Sequence, residues 1–180
     1  MPRGDPARTR EKLLAAGQRV AQRQAFAALR VDDVVREAGV AKGTFFLHFA
    51  DRAAFLVALH AHFHEAVSAA VDEATAARAP GLARLLAGSL RYLEVCRRDH
   101  PVKALLLGAR SEPAIQSAVT RQNERFARVA ERDFTAARWP DAKSAARLWI
   151  GMVAEAAIAE AESDRALPGV RRALARFLSN

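Results

Sequence analysis

A chain of 180 residues that is 51% apolar and sparse in Gly and Pro can bury a real core as one compact unit or two small ones, and is too apolar to be disordered. A net charge of +8 invites a polyanionic partner, while one cysteine, Cys96, excludes an internal disulfide and fits a reducing cytosol. The basic excess is only mildly concentrated, with ten Lys/Arg against six Asp/Glu over residues 1–55 and eighteen against fourteen over residues 56–180, so charge alone does not single out a partner. The polar opening of the chain is unlike a signal peptide. The best apolar stretch, Trp149 to Ala159, is short and carries Glu155, so no membrane span is expected and a cytoplasmic location is.

In chain order the hydrophobic pattern is helical with a period near 3.6, and alternating strand signals are essentially missing. A first helix is predicted from about Ala7 to Gln24, with Leu13, Ala16, Gly17, Val20 and Ala21 on one face and Phe26 plugging its exit. A short second helix, Val31 to Ala38, carries Asp32 and Asp33 in its first turn, where carboxylates suit the positive end of the helix dipole. Gly39 follows where a left-handed residue is cheapest as glycine, and a third short helix runs from Lys42 to Phe49. Asp51 is a good N-cap for a long fourth helix, Arg52 to about Arg78, ended by Pro80-Gly81. A fifth helix covers Leu82 to Arg97, and Pro101 starts a short sixth through Leu107. Pro113 opens a seventh, with Ile115, Ala118, Val119, Gln122, Phe126, Val129 and Ala130 in its stripe, broken at Trp139-Pro140. An eighth spans about Asp141 to Glu162, and a ninth after Pro168-Gly169 aligns Val170, Ala173, Leu174, Phe177 and Leu178. The boundary falls near residue 50. The expected architecture is all-α with about nine helices, residues 1–51 forming an N-terminal three-helix domain and residues 52–180 a larger helical domain.

The most informative stretch is VDDVVREAGVAKGTFFLHF, Val31 to Phe49. Two short helices meet at a tight glycine turn. Val31, Val34, Val40, Phe45 and Phe49 can share a small core with the first helix, which would leave Lys42, Gly43, Thr44, Phe46 and His48 facing outward. A rigid, protruding helix with a cationic start is what insertion into a DNA major groove requires, because the groove admits one helix whose N-terminal residues reach base edges.

The run TR-(x)2-LLAA in the first helix, then V-(x)2-V-(x)3-AGV-(x)-KGT-(x)3-HF and a capped fourth helix, resembles the N-terminal domain of the TetR (tetracycline-repressor) family of transcriptional regulators. The resemblance is close over residues 8–60, and beyond them only the layout agrees. It implies a helix-turn-helix DNA-binding domain followed by an effector-binding and dimerisation domain. It further implies a bacterial regulator with no catalytic activity and no cofactor, which acts as a homodimer on a double-stranded, palindromic operator and is released from it by a small, mainly apolar effector.

Carried over position by position, the resemblance implies that Lys42 contacts phosphate or a guanine edge, Thr44 a base or phosphate, His48 phosphate and Arg52 the backbone beyond the motif, with Gly43 permitting close approach. Three departures bear on recognition. Where the family usually has Ser, Thr or Pro this chain has Ala41, which removes a side-chain cap worth about 1 kcal/mol. Phe46 stands where a tyrosine is usual and lacks the phosphate-binding phenol. Leu29-Arg30 replace a usual Thr pair, so Arg30 cannot cap the second helix, although its charge can meet a phosphate.

The second domain is less legible. The resemblance places an apolar pocket there, for which Phe63, Cys96, Gln122, Phe126, Trp149, Met152 and Glu155 are the candidate lining residues. The plainer reading makes most of them core and pairs Glu155 with an arginine across a dimer interface. His60, His62 and His64 invite a metal reading, since His60 and His64 stand four apart on one helical face. No HExxH pattern or placed fourth ligand supports it, and surface or pocket-lining histidines are expected instead, with no metal. Cys96 lies on a buried stripe, where a small inert hydrophobe is expected. The last two helices are apolar around more of their circumference than one core needs, which points to a homodimer formed through them. Arginine outnumbers lysine, 24 to 4, as in the proteins of GC-rich bacterial genomes.

Overall fold

The structure is a computed structural model that describes residues 5–24, 28–99, 108 and 113–179. Among these are eight α-helices: α1 Pro6–Ala21, α2 Val31–Ala38, α3 Lys42–His48, α4 Arg52–Thr75, α5 Leu82–Arg98, α6 Pro113–Ala136, α7 Ala142–Ser163 and α8 Pro168–Phe177. No strand occurs among the described residues. The all-α expectation holds. The predicted helix from Pro101 to Leu107, like the plug at Phe26, lies outside the described residues.

The helix ends follow local chemistry. Asp5 caps α1 by accepting from the Ala7 N–H at 3.0 Å, with Pro6 just inside. Asp51 does the same for α4 from the Ala54 N–H at 2.7 Å. Neither Arg30 nor Ala41 offers a side-chain cap to α2 or α3, as their side chains predict. Gly39 closes α2 at φ 61°, ψ 43°, a left-handed conformation that strains any residue with a Cβ.

The chain divides into two compact units. One comprises residues 1–63 with 100–118, and the other residues 64–99 with 119–180. Both α4 and α6 therefore contribute residues to each. In the first unit α1, α2 and α3 pack on one another around Leu13, Leu14, Ala16, Val20, Leu29, Val34 and Phe45, with Phe55, Leu56 and Leu59 of α4 equally buried. Val31 and Val40 sit at the margin of this core rather than inside it. Gly17 is obligatory in size: a Cβ there would lie 2.5 Å from Phe55 Cζ. Glu37 of α2 receives Arg19 Nε at 2.6 Å and also Arg23 Nη2, which ties α1 to α2.

In the second unit α5 packs against α7 and α8. Trp149 is buried and its Nε1–H donates to Ser89 Oγ at 3.0 Å, while Ser89 donates to the Leu85 carbonyl at 2.9 Å. Glu160, 1% exposed, accepts from the Leu167 N–H at 2.9 Å and from Arg171 at 2.7 and 2.6 Å, which fixes the α7–α8 turn. Burial acts to raise this carboxyl, but the hydrogen bonds from Arg171 and the Leu167 N–H outweigh it and hold it below its ordinary value.

One expectation changes. The most membrane-like segment by length and composition is α4, not Trp149–Ala159. That helix is long and apolar enough to cross a membrane, and its Phe55, Leu56, Leu59, Phe63 and Val67 are buried in protein. Among the described residues of the second unit the buried carboxylates are Asp133 and Glu160, and Glu155 is exposed.

Candidate nucleic-acid interface and ligand cavity

Four phenylalanines and an arginine set α3 in place. Phe45 is fully buried, with its ring centroid 5.3 Å from Phe49 and 5.2 Å from Phe55, and Phe49 lies 5.0 Å from Phe55 edge-on. Arg10 covers the outer face of Phe49 at 5.4 Å. Phe46, one residue beyond the anchor, stands edge-on to Phe45 at 5.3 Å. Because its neighbour is locked, the α3 surface is presented in one orientation.

Outward of this base, Arg30, Lys42, Gly43 and Phe46 are exposed, and Thr44 and His48 half-exposed. The Lys42 ammonium lies 2.8 Å from the Asp32 carboxylate, and this contact holds Asp32 below the ordinary aspartate range, through the hydrogen bond first and the charge second. A Cβ at Gly43 would meet nothing within 4 Å, so its surroundings are open. Arg52 is placed differently: its Nε donates to the Leu29 carbonyl at 2.7 Å, bracing the start of α4 against the chain before α2. The structure also exposes a residue that sequence reasoning missed. Leu47 is 83% exposed, and its register three and four residues after Thr44 and Gly43 was the available signal.

The second unit holds a partly open cavity of about 90 Å³. Val71, Leu85, Tyr92, Phe126, Val129, Ile150 and Val153 form its mainly apolar wall, and Asp72, Thr75, Arg84, Ser89, Asn123 and Asp133 its polar points. Asp133, 2% exposed, accepts from the Gly81 N–H and from Arg84 Nε, both at 2.8 Å. Of the seven residues expected to line a pocket, only Phe126 does so here. Trp149 turns its ring into the core to reach Ser89. Cys96 is buried, and burial pushes its thiol up to about 12. Phe63 belongs to the first unit, Met152 and Gln122 are half-buried off the wall, and Glu155 is exposed. The Gln122 Nε2 is buried with no hydrogen-bond partner.

The histidines do not assemble. His60 and His64 are buried rather than on the surface; burial lowers His60 to about 4, and His64 stands edge-on to Phe126 at 5.8 Å. His62 Nδ1 lies 3.7 Å from a Glu11 carboxylate oxygen. Among the described residues no three His, Cys, Asp or Glu side chains are grouped to hold a metal ion.

Residues 13–59 match the family described as bacterial regulatory proteins, tetR family. Solved structures agree in fold over nearly the whole chain. The reduced form of NemR from E. coli superposes with a TM-score of 0.75 at 20% identity, covering 94% of this chain and 94% of that one. A transcriptional regulator from Rhodococcus sp. Rha1 gives 0.74 at 20% identity, covering 92% and 91%. EbrR, described as a multidrug-binding protein complexed with imidazole, gives 0.76 at 20% identity, covering 94% and 94%. No curated protein matches the chain in sequence. Residues 13–59 thus carry a segment similar to the bacterial regulatory proteins of the tetR family, and the chain shares its fold from end to end with the solved structures above.

Proposed function

We propose that this protein is a homodimeric repressor that binds a palindromic operator through α3 and leaves it when a small, mainly apolar ligand occupies the cavity of the second unit. The observation that carries the reading is the contrast within α3. Phe45 is fully buried, while Lys42, Gly43 and Phe46 of the same helix are open to solvent, as a groove-reading helix on a rigid base requires. In this reading Lys42, Thr44, His48 and Arg30 meet phosphates or base edges, Phe46 lies against the groove wall, and Arg52 positions the backbone after the motif.

Leu148 of α7 and Phe177 of α8 are large, apolar and exposed, which supports dimerisation through the last two helices. A two-fold dimer presents two reading heads to two half-sites. The cavity wall supports an apolar effector, in keeping with the multidrug-binding description of one solved neighbour. Helix α4 supplies residues to both units and is the covalent route by which occupancy would be felt at α3. The ligand can act only through its different affinity for two conformations, typically about 1–3 kcal/mol of coupling. The protein works without catalysis, in the cytoplasm.

The test is a gel shift of the purified dimer on the DNA upstream of its own coding region. Binding at least tenfold tighter than to a scrambled duplex is expected, and equal binding to both would sink operator recognition. Ala154 also lines the cavity, and an Ala154→Trp variant that fills it should bind the same DNA and lose its response to apolar effectors.

A further inference from the structure

Among the described residues of the first unit the large exposed hydrophobic side chains are two neighbours, Phe46 at 49% and Leu47 at 83%. A single exposed leucine needs no explanation. Two adjacent ones on a seven-residue helix do, because they share a face with Gly43, four residues before Leu47 and three before Phe46. Gly43 adds no side chain, and a Cβ there would meet nothing within 4 Å, so this face can be approached closely. Phe46 is steadied edge-on by the buried Phe45. The helix-turn-helix also exposes Arg30, Arg36 and Lys42, of which Arg36 and Lys42 are paired with Asp33 and Asp32; cations that a phosphate can recruit suit a phosphate-bearing partner and are poorly suited to an apolar protein surface.

Neither Phe46 nor Leu47 can donate or accept a hydrogen bond. In the major groove the one apolar feature that distinguishes a base is the C5-methyl group of thymine. We infer that Leu47 is a specificity-determining residue that reads a thymine methyl in each operator half-site. The inference rests on the DNA-binding reading above and adds the chemistry it selects. Lys42 supplies salt-dependent affinity, and Leu47 supplies a salt-independent preference for thymine, because an apolar contact releases no counterion.

The experiment selects a high-affinity duplex from a random pool with the full-length protein, then replaces its thymines one at a time with deoxyuridine, which lacks only the methyl. One position per half-site should lose roughly fourfold in affinity, the value of one buried methyl. Leu47→Ala should bind the thymine duplex as weakly as wild type binds a duplex with that thymine replaced in both half-sites, should no longer distinguish thymine from uracil there, and should keep the salt slope of wild type. Leu47→Met should retain the discrimination. With 83% of Leu47 exposed, its melting temperature provides the folding control. If a specific duplex is selected but no thymine is sensitive, or Leu47→Ala remains equally sensitive, the inference is overturned while DNA binding stands. If no specific duplex emerges, DNA recognition itself fails and the inference with it.

Discussion

The two units of this protein handle awkward side chains in opposite ways. The first buries a cluster of phenylalanines at Phe45, Phe49 and Phe55 and turns apolar groups, Phe46 and Leu47, outward. The second buries charge, Asp133 and Glu160 each held by an arginine, and leaves open space among apolar residues. A reading head works by being stiff, so its interior is filled and its exposed apolar atoms are those with a surface to meet. On the proposed function the second unit works by accommodating a ligand, which suits a shape held by directional polar clamps at the edges while part of its core stays unfilled. Rigidity comes from packing in one unit and from hydrogen-bonded charges in the other.

The largest test of this contrast falls on the second unit. Glu160→Ala strands Arg171 beside a hydrophobic site, and a loss of about 3 kcal/mol, roughly 10 °C in Tm, is expected. Because the Glu160 carboxyl is lowered, its contribution is complete above about pH 4.5 and fades as pH falls through the lowered value. The stability gap between wild type and Glu160→Gln should therefore narrow in acid. A gap that widens there would show that the clamp is not the source.

Next come two glycines of the first unit that should behave oppositely. Gly17→Ala drives a methyl into Phe55 and should cost about 1–3 kcal/mol of stability, with the remaining folded protein binding DNA normally. Gly43→Ala has open space around it and should leave the melting temperature unchanged or slightly higher, while DNA affinity falls by about 1 kcal/mol or more as the new methyl holds the groove away. Thermal melts and DNA titrations of the pair decide it; equal effects on both observables would erase the distinction between interior filling and groove approach.

A smaller effect is expected at Lys42→Ala, whose salt slope of binding should flatten by about one unit for each protomer. An unchanged slope would mean that Lys42 touches no phosphate. The smallest belongs to Asp32→Asn. The Asp32–Lys42 pair is more than half open to solvent and adds little to stability, yet it occupies the ammonium that phosphate would take. Releasing it should tighten DNA binding up to a few-fold; weaker binding would show that Asp32 positions Lys42 rather than competing for it.

Much of the reading head was legible in one dimension. The glycine at 39, the capping Asp51 and the buried faces of α1 and α2 follow from helical period and local backbone chemistry, which act over a few residues. Leu47 was overlooked because a leucine inside a short amphipathic motif reads as core until its neighbours are placed. The cavity was not legible. Trp149, Cys96 and Gln122 have pocket-like chemistry, but Trp149 bonds Ser89 sixty residues away and so faces the core. Asn123, Thr75 and Asp133, which line the space, look like ordinary polar positions on helices.

What the chain determined unaided was its helices, most of their ends and its likeness to a known family over the first three helices, because periodicity, caps and a spaced motif are properties of neighbouring residues. Only the tertiary structure decided which carboxylate is buried, which leucine is exposed and where the open space lies. Those outcomes depend on which helix lies against which, and that is settled by packing between residues far apart in the chain.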